Sequence, residues 1–66
     1  MNILLNGAAH QLQSPGSIAD LIEHLGYAGK RIAVERNGDI VPRSRYADTS
    51  LAEGDQIEIV VAVGGG

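Results

Sequence analysis

Sixty-six residues make one small domain, below the size at which a single apolar core is comfortably stable by itself, so the architecture has to be simple. There is no cysteine, which excludes a disulfide staple, a thiolate metal site and a cysteine nucleophile, and the two histidines, His10 and His24, are too few for a metal site without carboxylate help. Eight acidic residues against five basic ones, with a formal charge of -3, argue against a nucleic-acid binder, and no apolar run nears the roughly 18–20 residues that span a bilayer.

The opening MNILLNG is too short and uncharged to read as a signal peptide, and the missing cysteines suit a reducing compartment, so a soluble cytoplasmic protein is expected. Residues 1–5 are nearly continuously apolar and run into Asn6-Gly7, the dipeptide that best tolerates the positive φ angles of a two-residue hairpin turn. A return strand over residues 8–13 alternates weakly through Ala8, His10 and Leu12, which predicts an edge position with one wet face and a surface His10.

The stretch SPGS breaks that pattern, and Ser17 with Asp20 three residues on has the form of a helix capping box. From there Ile18, Leu21, Ile22 and Leu25 fall at i, i+3, i+4 and i+7, an apolar stripe on one helical face, with Asp20, Glu23 and His24 directed away. Gly26 is the expected stop, and His24, close to that end, suits the helix dipole when protonated.

Residues 31–36 alternate, Ile32 and Val34 on one side and Arg31, Ala33 and Glu35 on the other, before a second turn signal at Asn37-Gly38 and a short continuation through Ile40 and Val41. Pro42 cannot donate to a ladder, so residues 43–50 read as a loop or a single helical turn, with Tyr46 packed beneath it and Leu51 dipping to the core. After a turn at Glu53-Gly54-Asp55, residues 56–63 return to strand, with Ile57, Ile59, Val61 and Val63 on one face and Glu58, Val60 and Ala62 on the other.

The first and last strands are the most apolar, which suits neighbours in mid-sheet. One helix covers one sheet face, so the expected fold is α+β, a mixed four- or five-stranded sheet packed on one α-helix: the β-grasp, or ubiquitin-like, layout. The expected division is a β-grasp domain over residues 1–63 and a flexible glycine tail over residues 64–66.

That tail is the chemical question. A phosphate-cradling glycine loop must lead into a helix, and after Gly66 no residues remain to build one. Neither histidine sits in a recognisable triad context beside Ser14, Ser17, Ser44 or Ser50, so catalysis by the chain itself is not expected. The α-carboxylate of Gly66 is different: glycine has no Cβ to obstruct an activating group, and three extended residues reach about 10 Å. Ordering three residues costs about 3–6 kcal/mol, so affinity has to come from an exposed patch on the body. Val60 and Ala62 are the candidate patch if the helix leaves their face uncovered. Arg36 and Arg43 are candidate contacts to an acidic partner, against the competing reading of solvated surface charge.

The motifs VERN (residues 34–37), IVPR (residues 40–43) and GDQIEIV running on to the terminal Gly65-Gly66, together with ILLNG near the start, resemble the ThiS family of sulfur carriers of thiamine biosynthesis, over essentially the whole chain. The resemblance implies that the Gly66 carboxylate is adenylated by a ThiF-type enzyme using ATP and magnesium, with no cofactor bound by this chain. Sulfur from a donor such as a cysteine desulfurase then replaces AMP, and the thiocarboxylate is passed to a ThiG-type thiazole synthase. The chain would then be a protein co-substrate and not an enzyme. The family pattern needs only the final two glycines, so Gly64 is an additional hinge. The alternatives are the small subunit of molybdopterin synthase, though this chain is short and lacks phenylalanine, a β-grasp interaction module with an inert tail, and a protein-conjugating modifier.

Overall fold

The computed structural model describes residues 1–13 and 16–62. The glycine tail and Val63 therefore lie outside the described residues. Five strands, β1 (Asn2–Leu5), β2 (Ala8–Gln11), β3 (Ile32–Arg36), β4 (Asp39–Val41) and β5 (Gln56–Val61), form one sheet in the order β2-β1-β5-β3-β4, with one helix, α1 (Ile18–His24). The last strand is thus the centre of the sheet, parallel to β1 and antiparallel to β3. This is the expected mixed β-grasp arrangement.

Both hairpins turn where Asn-Gly places them. Asn6 and Gly7 have φ of 51° and 82°, and Asn37 and Gly38 have 52° and 88°. Positive φ at both central residues defines the type I′ turn, whose twist matches that of the strands it joins. The asparagines also reach across the sheet. Asn6 Oδ1 accepts from the Ile59 amide at 2.8 Å and its Nδ2 donates to the Ile59 carbonyl at 3.2 Å, while Asn37 Oδ1 accepts from the Gln56 amide at 2.9 Å. Each turn therefore clamps β5 from its own flank.

Helix α1 begins as a complete capping box: Ser17 Oγ accepts from the Asp20 amide and the Asp20 carboxylate accepts from the Ser17 amide at 2.9 Å. Such a cap contributes about 1 kcal/mol. Remaining amides of the first turn find carbonyls in the 46–51 loop, Ile18 donating to Thr49 and Ala19 to Tyr46. At the other end Gly26 (φ 78°) donates to Glu23 and Tyr27 donates to Ile22, the paired bonds of a Schellman stop.

The stripe on α1 lands where its period places it. Ile18, Leu21 and Ile22 are buried against Ile3, Val34, Val41, Leu51, Ile57 and Ile59, with Leu25 half-buried at the rim. Burying each such side chain is worth about 1.5–3 kcal/mol. A single turn of 3-10 helix at Arg43–Arg45 follows Pro42 and lets Tyr46 pack on the same core.

His10 departs from expectation. Its register partner is Ile3, which faces the core, so His10 lies on the helix side of β2 and is half-buried, its ring 6.2 Å from that of His24 in an edge-to-face contact. An edge strand still has an inner face, and the alternation that carries Leu12 inward carries His10 with it. Among the described residues no helix is long and apolar enough to cross a membrane.

Candidate functional site

Among the described residues one sheet face is covered by α1 and the other is open. Strand alternation sorts residues between them: on β5, Ile57 and Ile59 are buried while Gln56, Glu58 and Val60 point outward. The registers then lay out the open face. Val60 stands opposite Ala33, Glu58 opposite Glu35, Glu35 opposite Ile40, and Gln56 beside Leu4. Val60 is 65% exposed, Ile40 77% and Leu4 40%, so three large apolar side chains of this face stand in water.

The structure places the sequence candidates in three different settings. Val60 and Ala62 are exposed and in phase on β5, and the Ala62 amide, just past the strand, still bonds the Arg31 carbonyl at 2.8 Å. They occupy the face left uncovered by the helix and lie immediately before the segment that carries Gly64, Gly65 and Gly66.

Arg36 does not join them. It continues the inward phase of Ile32 and Val34, and its Nε donates to Asp55 Oδ2 at 2.8 Å, an ion pair within the chain. Asp55 also accepts from Asn37 Nδ2 at 3.1 Å and from the Ala52 amide at 2.8 Å. Burial pushes the Asp55 carboxyl up, but the hydrogen bonds from Arg36, Asn37 and Ala52 and the Arg36 charge together outweigh it and hold the carboxyl below its usual range. The arrangement ties the β3–β4 turn to the 52–55 turn. Arg36, from the sequence either a candidate contact for an acidic partner or a solvated surface charge, has Asp55 as its neighbour inside the fold.

Arg43 is exposed, on the helix side. It lines a cleft of about 380 Å³ with Tyr27, Lys30, Arg31 and Tyr46, away from Val60. Among the described residues no three His, Cys, Asp or Glu side chains gather to hold a metal ion.

Two features of the open face are not legible in the sequence: the exposure of Ile40 and the direct opposition of Glu35 and Glu58. Their alternation was visible, but which strand neighbours which is a property of the sheet order. What the face presents is a set of exposed apolar side chains around a polar centre, on the strand that leads to the C-terminal glycines.

A family model described as the ThiS family matches residues 3–66. The chain is 42% identical, over all 66 of its residues, to a thiazole synthase of Magnetococcus marinus and 38% identical to one of Paramagnetospirillum magneticum, spanning about a fifth (20%) of the length of each. It is 43% identical over 51 residues to the sulfur carrier protein ThiS of Bacillus subtilis, covering 77% of each chain. Among solved structures, the thiamine biosynthesis protein ThiS of Geobacter metallireducens superposes with a TM-score of 0.85 at 28% identity, with both chains covered in full. A match that runs through both hairpins, the helix and the terminal glycines, on the fold that the strand order builds, shows that this chain belongs to the ThiS family.

Proposed function

We propose that this chain is a sulfur carrier for thiazole formation in thiamine biosynthesis, its reactive group the carboxylate of Gly66. In this reading a ThiF-type enzyme, with ATP and magnesium, directs a carboxylate oxygen onto the α-phosphorus of ATP. Pyrophosphate leaves and an acyl adenylate remains. The persulfide of a sulfur donor such as a cysteine desulfurase attacks the acyl carbon and AMP leaves; a second thiol then reduces the resulting acyl disulfide, forming a disulfide with the donor cysteine and freeing the Gly66 thiocarboxylate. A ThiG-type thiazole synthase accepts that sulfur, and hydrolysis returns the carboxylate. The chain is a co-substrate throughout, and the catalytic groups belong to its partners.

The observation that carries the reading is the family match through Gly66, with relatives named sulfur carrier protein ThiS. The fold supports it by dividing the labour. The open face around Val60 and Ala62 supplies contact area, while Gly64 and Gly65 bring no side chain that would obstruct entry into a narrow catalytic channel. Two relatives named thiazole synthase align with this chain over only a fifth of their length, which favours a ThiG-type partner as the one that receives the cargo.

Incubation with the cognate adenylating enzyme, ATP and a sulfur source should raise the intact mass by the difference between sulfur and oxygen, and alkylation should locate the new thiol function on Gly66. Deleting Gly66 should abolish the mass change while leaving affinity for the adenylating enzyme near that of the full chain. An unmodified terminus after incubation with an enzyme shown to be active would refute the carrier role.

A further inference from the structure

We propose that the open sheet face recognises its thiazole-forming partner through one cationic side chain, an arginine or lysine, seated between Glu35 and Glu58 and ringed by apolar contacts. The inference rests on the docking role given to that face above and names the chemistry of what docks there.

The argument starts from register. Glu35 and Glu58 are direct partners across the antiparallel β3–β5 pair, both on the face away from α1. Side chains so placed have Cβ atoms about 4.5–5.5 Å apart, and like charges in that relation destabilise a sheet. Among the described residues neither carboxylate has an ion-pair partner, the one ion pair being Arg36 with Asp55. Arg36 is next to Glu35 in sequence but belongs to the opposite face. Among the described residues the fold therefore holds two like charges side by side with no cation paired to either.

The surroundings specify the missing group. Ile40 stands opposite Glu35 on the far side, 77% exposed, and Val60, 65% exposed, is the next outward residue after Glu58 on β5. The acid pair is thus bracketed by apolar side chains that a partner would cover. Between the strands a notch of about 240 Å³ is lined by Glu35, Gly38, Gln56 and Glu58, and at Gly38 there is no side chain to fill it. A guanidinium is planar, carries several donors in a fixed fork and can bond two carboxylates at once, and lysine brings the charge without the fork. Exclusion of water by the apolar surround would strengthen the attraction, the arrangement typical of an interface hot spot. A partner presenting acidic residues or phosphates here would be repelled.

The test is calorimetric titration of the cognate thiazole synthase, and separately of the adenylating enzyme, with the full chain and its E35Q, E58Q, E35Q/E58Q and V60D variants at low and high salt, alongside thermal unfolding of each variant. Each single glutamine variant should weaken synthase binding about tenfold or more and flatten its salt dependence. The double variant should lose much less than the product of the two, because both carboxylates act on one cation. Removing the repulsion should leave the melting temperature unchanged or raised.

Glutamine variants that bind the synthase within about twofold of the parent, while V60D does not bind, would overturn the cation and leave the docking face standing. Unimpaired binding by V60D as well would overturn both. Weakening confined to the adenylating enzyme would overturn the choice of occupant. A melting temperature lowered in step with affinity would mark the two glutamates as structural and overturn the proposal.

Discussion

Asp55 is a carboxylate at 6% exposure with four donor atoms around it, and its ionisation is coupled to folding. Its folded-state pKa lies below the unfolded value, so the unfolded chain binds the proton more readily. The stabilisation is therefore fully present above the unfolded aspartate pKa, about 3.9, and is lost as pH falls through the lower folded value. Asp55→Asn should cost about 2–3 kcal/mol at neutral pH, since it leaves Arg36 without its counter-charge, and should flatten the loss of stability between neutral and strongly acidic pH. Urea midpoints measured across that range check both statements. In the sequence Asp55 was legible only as a turn residue after Glu53-Gly54. Its partners lie up to 19 residues away, and a local pattern carries no information on which distant side chains converge.

At the scale of elements, the hairpins were legible because a type I′ turn demands particular residues, and the helix was legible because Ser17, Asp20 and the stripe Ile18, Leu21, Ile22 and Leu25 all agree. The second function of the turns was not. Asn6 meets Ile59 across 53 positions of sequence, lengthening the junction of β1 with β5 beyond its two registered pairs, Leu4 with Gln56 and Leu5 with Ile57. Asn6→Gly separates the two functions, because glycine keeps the positive φ and removes the clamp. It should destabilise by about 1–2 kcal/mol, read as a lower urea midpoint, and exchange of the Ile59 amide with deuterium should accelerate. His10 shows the limit of alternation as a guide. The phase of its strand was clear, but which phase faced inward depended on the register with Ile3.

For the whole molecule the margin is narrow. A domain of this length is stable by about 3–10 kcal/mol, and among the described residues its core holds nine buried apolar side chains. Leu21→Ala, at a position 2% exposed, should remove about 2–5 kcal/mol and leave a large unfolded fraction at growth temperature, measurable by circular dichroism. The open face lies outside that core, so its outward side chains can change with much smaller effects on stability. The candidate site was half legible for the same reason: periodicity separated Val60 and Ala62 from the core, whereas the facing of Glu58 with Glu35 required the sheet to be assembled.

The strand order β2-β1-β5-β3-β4 has a mechanical corollary. The two hairpins are joined within the sheet through β5, so a fragment stopping short of Gln56 would hold its halves with nothing between them. Closure of the body therefore waits for the last strand to be made. Traction applied to the residues beyond Val61 would be shared in shear by ladders on both flanks, not peeled away one bond at a time, so an enzyme could grip and turn that end without unravelling what it is attached to.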